Sequence, residues 1–196
     1  MKSLKFFFGL AITLISFQTI QAQDVTLVSN ESNATLIMLG GIGEKTASGA
    51  EVVSALQEGV AITKMYDKFG LVNAQGVEIV APRFDEIHPF VNGYAAAKLH
   101  GKWSFLSKQG KKLSSFRYDW VGNFEAGYAP VQLNGKWGFV NEQGIEICEL
   151  EFDAVRSFQD GKALVRKGNN WYNMSEKAVL TPANVTPQAA IAPTQI

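Results

Sequence analysis

Four aromatic residues stand 34 positions apart: Phe69, Trp103, Trp137 and Trp171. Each heads the same phrase, fullest at Gly135-Lys136-Trp137-Gly138-Phe139-Val140-Asn141-Glu142-Gln143-Gly144. A fixed period of this length constrains the fold before any local reading does, because it means that one supersecondary unit is copied and stacked. Rows 69–102, 103–136 and 137–170 align without a gap. Six columns are identical in all three: Gln75/Gln109/Gln143, Gly76/Gly110/Gly144, Asp85/Asp119/Asp153, Phe90/Phe124/Phe158, Gly93/Gly127/Gly161 and Ala95/Ala129/Ala163. Average residue usage would give only about 0.15 such columns in a stack of this size. Phe84, Tyr118 and Phe152 match by class, whereas the Arg83/Arg117 column breaks at Glu151. Upstream, Leu56 to Ala61 aligns with Phe90 to Ala95, and Thr35-Leu36-Ile37 is a poor echo of Phe69-Gly70-Leu71. Worn end units are expected where a unit lacks one neighbour.

A 34-residue period also belongs to helical repeats, so the pattern inside the unit decides. Ala129, Val131 and Leu133 alternate with Pro130, Gln132 and Asn134. Trp137 and Phe139 alternate with Gly138 and Val140, and Ile145 and Ile147 with Glu146 and Cys148. Period two predicts strands over about Tyr128–Leu133, Lys136–Asn141 and Ile145–Glu149. Asn134-Gly135 predicts a tight hairpin, and Glu142-Gln143-Gly144 a second turn. The linker residue Asp153, like Asp85 and Asp119, is expected to bond nearby backbone amides. The predicted fold is all-β: an antiparallel meander of 34-residue hairpin units stacked as a curved sheet or solenoid. A lone hairpin cannot bury its apolar face, so neighbours must stack on it. Ser48 to Gln57 fits either a helix or a linker.

Lys2, Lys5, the apolar Phe6 to Ile15 and Ile20-Gln21-Ala22 read as a secretory signal over residues 1–22. The apolar stretch is short for a membrane span. A degenerate repeat acting as a cap is expected over 23–55, β-repeats over 56–178 and a disordered tail over 179–196. Without Lys2 and Lys5 the 18 basic residues fall to 16 against 18 acidic, a net charge of −2. That balance argues against nucleic acid, which needs a basic surface. The single cysteine, Cys148, excludes an internal disulfide and shares its column with Val80 and Ser114, so it reads as a small strand residue.

A residue shared by every row serves the fold, whereas one unique to a row is free to serve a ligand. By that rule Trp120, which faces Glu86 and Ala154, is the first candidate for binding, followed by Tyr94 and Tyr128. His88 and His100 are also unique to their rows, but two isolated histidines and one cysteine make no zinc site. The Asp column lacks the dense loop that calcium needs. No catalytic motif, cofactor or metal set is present, and Leu39-Gly40-Gly41-Ile42-Gly43 lacks the ending of a phosphate loop.

The phrases Trp137 to Gly144, Phe152-Asp153-Ala154-Val155 and Phe158-Gln159-Asp160-Gly161-Lys162-Ala163 resemble the WG repeat family. The resemblance runs from about Leu56 to Asn173, though only Trp137 keeps the Trp-Gly pair. Phe69-Gly70, Trp103-Ser104 and Trp171-Tyr172 depart from it. It implies a bacterial β-repeat protein, often secreted or envelope-associated, with no common catalytic activity. The leading expectation is a non-enzymatic, exported binding or scaffolding module for a protein partner, periplasmic, outer-envelope associated or extracellular. The alternative is cell-wall or polysaccharide binding through exposed aromatics. A hydrolase would need acidic residues unique to single rows to converge, and Glu86, Glu125 and Glu142 are scattered.

Overall fold

Local turn chemistry and strand pattern build the unit first. Asn134 and Gly135 both hold positive φ, 53° and 76°, as a type I′ hairpin turn requires. They join β9 (Tyr128–Leu133) to β10 (Lys136–Asn141), with Leu133 opposite Lys136. The Asn141 side chain then shapes the next turn: its Oδ1 accepts from the Gln143 and Ile145 amides at 3.1 and 3.0 Å. Asn73 does the same for Gln75 and Val77.

The computed structural model describes residues 42–43 and 45–184. The signal segment 1–22, most of the expected cap and residues 185–196 lie outside them, as do Leu39, Gly40 and Gly41. Among the described residues the chain forms fourteen strands in four antiparallel sheets and no helix. Sheet I is β1 (Glu51–Val52), β2 (Val60–Met65), β3 (Lys68–Asn73) and β4 (Glu78–Phe84). Sheet II is β5 (Glu86–Ile87), β6 (Tyr94–Leu99) and β7 (Lys102–Ser107). Sheet III is β8 (Trp120–Val121), β9 and β10. Sheet IV is β11 (Ala154–Val155), β12 (Lys162–Lys167), β13 (Asn170–Ser175) and β14 (Leu180–Pro182). The stretch 48–57 is strand and irregular chain, with no helical turn.

Three expectations change. The third predicted strand, Ile145–Glu149, is not a regular strand. Between the bridges Trp137↔Phe152 and Val140↔Glu146, β10 advances three residues while the third segment advances six. Three surplus residues cannot stay in a ladder and bow out of it. In sheet I the same surplus is absorbed by two register shifts along β4. Next, the linker is not outside the sheets: Trp120–Val121 pairs with Gln132 and Val131, and Ala154–Val155 with Arg166 and Val165. Buried linker backbone needs hydrogen-bond partners, and the following hairpin supplies them. Each sheet therefore begins with the end of one sequence row and continues with the next. Last, Leu180–Pro182, assigned from sequence to the tail, pairs with Tyr172, Asn173 and Met174 and closes sheet IV.

The hydrophobic core lies between sheets, in three layers. Val60, Ile62, Leu71 and Phe84 of sheet I meet Ile87, Phe90, Ala95, Ala97 and Leu106 of sheet II. Ala96, Trp103, Phe105 and Tyr118 then meet Val121, Phe124, Ala129, Val131 and Val140. Phe139 and Phe152 meet Val155, Phe158, Ala163, Val165 and Met174. Adjacent residues thus serve opposite layers: Ala95 and Ala97 look back to sheet I, and Ala96 looks forward to sheet III. The constant Phe of each lead-in is the wedge, with Phe124 packing on Phe105 and Phe158 on Phe139 at ring separations of 4.8 and 5.0 Å. The constant turn glycine serves the same stacking. A Cβ at Gly144 would lie 2.2 Å from Leu113 O, and one at Gly110 2.3 Å from Val80 Cγ2.

Candidate functional site

The Asp column joins one sheet to the next. Asp85 accepts from Lys68 Nζ at 2.6 Å and from the Gly101 amide at 3.1 Å. Asp119 accepts from Lys102 Nζ and from the Asn134 amide, and Asp153 from Lys136 Nζ and the Gly168 amide. Each carboxylate therefore ties the hairpin of one sheet to the hairpin turn of the following one. The lysine hydrogen bond, then the amide, holds all three carboxyls below the usual carboxylate range. This is a structural clamp, and it reaches farther than the local turn expected from sequence.

Beside the clamp, the ladder rings stand third in a cross-strand row in every sheet. The rows are Glu51–Lys64–Phe69, Glu86–Lys98–Trp103, Trp120–Gln132–Trp137 and Ala154–Arg166–Trp171. In sheets I, II and IV the middle residue lays a cation over the ring, at 5.5 Å for Lys64, 5.3 Å for Lys98 and 5.9 Å for Arg166. Sheet III breaks the rule. Gln132 brings no charge, and Trp120 takes the place, meeting Trp137 edge to face at 5.0 Å. Gly122 makes that fit: a Cβ there would stand 2.7 Å from Pro130 Cγ and 3.1 Å from Trp120 Cζ3. In the same column His88 lies 2.7 Å from Glu86 Oε1, with its ring 4.8 Å from Trp103.

Beside the hairpin turns the rows thus differ at Glu86/Trp120/Ala154, His88/Gly122/Arg156 and Lys98/Gln132/Arg166, while the constant Asp column at the same end holds the stack. Ladder rings are not free platforms: Trp103 is buried, and Phe69, Trp137 and Trp171 are half-buried.

Of the sequence candidates, Trp120 lies at this rim, half-buried. Tyr94 and Tyr128 do not join it. They lie at the other end of their strands and pack on Phe124 and Phe158, at 4.6 and 4.4 Å. Cys148 is half-buried against the third core layer, and burial raises its thiol pKa.

Sequence reasoning passed over Tyr66. It occupies the hairpin turn filled by His100, Asn134 and Gly168 in the other sheets. There it is 88% exposed, at a φ of 54°. A bulky residue in the left-handed region carries strain that Asn or Gly avoids. The signal was available: Tyr66-Asp67 stands in the Asn134-Gly135 column, one step before the first aligned row.

A family model described as WG containing repeat matches residues 69–103, 103–137 and 137–171. Comparison with curated proteins gives no match. Among solved structures, Kluyveromyces lactis Hsv2p is similar at 14% identity and a TM-score of 0.39, over 67% of this chain and 49% of that one. The N-terminal domain of Nup159 is similar at 7% and 0.40, over 76% and 47%. Apo AztD from Citrobacter koseri is similar at 11% and 0.27, over 73% and 49%. The chain spans about half the length of each of these structures.

Proposed function

Since the chain belongs to the WG repeat family, we propose that it is an exported, non-enzymatic scaffold that holds a protein partner on its turn-end rim. The observation that carries this reading is Tyr66, 88% exposed in a hairpin turn at a φ of 54°. It stands at the same end of the sheets as the ladder rings, where the rows differ at Glu86/Trp120/Ala154 and His88/Gly122/Arg156. Exposed Tyr and Trp beside cations are the side chains that anchor protein interfaces. Strain kept at an exposed turn, where Asn would serve the fold better, points to a role outside the fold. Export rests on the charged and apolar start of the sequence.

Glycan binding is the second reading. The Trp120–Trp137 pair favours it as the densest aromatic site on the rim, but its edge-to-face packing presents no flat row of rings.

The test immobilises the chain, challenges it with envelope extract and runs a glycan array in parallel. Capture of a defined protein that is lost in Tyr66→Asn and Trp120→Glu supports the proposal. Array binding lost in Trp120→Glu supports the second reading. Binding to neither overturns both.

A further inference from the structure

At the end of the sheets opposite the hairpin turns, β3, β7, β10 and β13 each run into a second turn. These turns read Ala74-Gln75-Gly76-Val77, Lys108-Gln109-Gly110-Lys111, Glu142-Gln143-Gly144-Ile145 and Glu176-Lys177-Ala178-Val179. The last residue of each closes its turn through the backbone, its carbonyl accepting from the Asn73, Ser107, Asn141 or Ser175 amide at 2.9–3.0 Å. The fold asks nothing apolar of its side chain, since Lys111 fills the column in sheet II. Val77, Ile145 and Val179 are nevertheless 48, 61 and 58% exposed there. They are three of the five large exposed apolar side chains among the described residues. Single exposed apolar residues are ordinary, but three in one repeat column form a patch.

The turns follow one another along the stack. Gly110 lies against Ile79 and Val80, just past Val77, and Gly144 lies against Leu113, just past Lys111. With packed sheets roughly 10 Å apart, the column Val77, Lys111, Ile145, Val179 runs about 30 Å along the molecule. Its two central turns are oppositely charged: sheet II carries Lys108 and Lys111, and sheet III carries Glu142. Lys108 reaches Glu58 at 3.4 Å, whereas Lys111 and Glu142 form no ion pair among the described residues. Gln75, Gln109 and Gln143 stand exposed in the same turns, and their side-chain amides make no hydrogen bond among the described residues. Lys177 in the fourth turn shows that the turn does not require the amide.

We propose that two copies of this chain associate through these turns, about a two-fold axis that crosses the stack between sheets II and III. Such an axis reverses the order of the sheets, and each contact is made twice. Val77 meets Val179 of the second copy, and Gln109 meets Gln143. Lys108 and Lys111 meet Glu142 and Ile145. Apolar pairs thus stand at both ends, with opposite charges and self-complementary amides at the centre. A two-fold axis running along the column would set each turn against itself. Lys108 would then face Lys111 of the second copy, an arrangement that like charges disfavour. A charge pattern that matches its own reverse is what singles out a second copy as the occupant. This surface lies at the far end of the sheets from Tyr66 and Trp120, so association and capture at the rim are separable.

Sedimentation of the full chain over a concentration series tests this. The mass is expected to rise from one copy to two and to stop there, because the axis closes the assembly. Glu142→Lys is expected to weaken the dimer by roughly tenfold or more, and adding Lys108→Glu and Lys111→Glu to the same chain to restore it. Val77→Asp is expected to weaken it as well, while Tyr66→Asn leaves it unchanged. All these positions lie on turns, and circular dichroism is expected to show the same fold in every variant. A chain that stays single at every concentration overturns the proposal. So does association insensitive to Glu142→Lys, a loss that the added substitutions do not reverse, or growth beyond two copies.

Discussion

Lys136 Nζ donates to Asp153 at 2.6 Å across the junction between sheets III and IV, and the same carboxylate receives the Gly168 amide at 2.7 Å. Two sequence neighbourhoods seventeen and fifteen residues away are thereby fixed to one side chain. The relationship recurs at Asp85 and Asp119, so its loss has a cumulative effect. Single Asp→Ala substitutions at 85, 119 or 153 are expected to lower Tm by a few degrees each, and the triple substitution by about their sum. Thermal melts of the four proteins check this.

The pH dependence follows from the same clamps. All three carboxyls have pKa values depressed in the folded state. Their contribution is therefore fully present above the unfolded carboxylate value of about 3.9 and is lost as pH falls through the lower folded values. Tm is expected to drop below about pH 4, and to drop less steeply in the triple Asp→Ala protein. A steep loss between pH 5 and 7 would point to other groups.

Close backbone approach separates two glycines. A Cβ at Gly70 would lie 2.5 Å from Val80 O and 2.8 Å from Pro82 N, both backbone atoms. At Gly138 the nearest atom is Leu150 Cδ2, the far end of a side chain that can turn aside. Gly70→Ala is expected to cost about 1–3 kcal/mol in urea unfolding, and Gly138→Ala less. Ser104, in the same column, shows that a side chain is accepted where it finds partners: its Oγ lies 3.1 Å from Ser114 O.

Phe139 fills the third core layer, fully buried against Phe158. Phe139→Ala is expected to destabilise by about 3–5 kcal/mol, measured by urea unfolding. Asn173→Phe on the outward face of sheet IV is expected instead to promote self-association, visible as concentration-dependent mass in sedimentation. It would restore an apolar docking column at an end that is now polar.

Legibility tracked locality. Strands β9 and β10, the Asn134-Gly135 turn and the Gln-Gly turns were readable because each depends on neighbours within a few residues. The phase of the sheets was not, because the partner of Trp120–Val121 is chosen by the next hairpin. Surplus residues between Glu146 and Phe152 also hide in an alternating pattern that looks like a strand. The lysines of the clamp left a trace that a different frame would have exposed. Lys68, Lys102 and Lys136 form a constant column that a row starting at Phe69 splits at its edge. Within the candidate site, row comparison singled out Trp120, which lies at the turn end and packs edge to face on Trp137. It also singled out Tyr94 and Tyr128, whose rings pack on the constant Phe124 and Phe158 at the other end of their strands, a contact that comparing columns one at a time does not reveal. Glu151 shows a compensated break. Where Arg83 and Arg117 lie over Phe84 and Tyr118, Glu151 instead accepts from Lys167, which replaces Leu99 and Leu133 of the earlier rows.

The central claim is that constant columns build the stack while varying positions at the turn end bind the partner. Tyr66→Asn tests it most directly, since Asn134 already occupies the equivalent turn at a φ of 53°. Stability and capture of an envelope protein are measured on the same sample. Stability is predicted to rise, by up to about 1 kcal/mol, as left-handed strain is relieved, and capture to fall. Unchanged capture with raised stability would contradict the account.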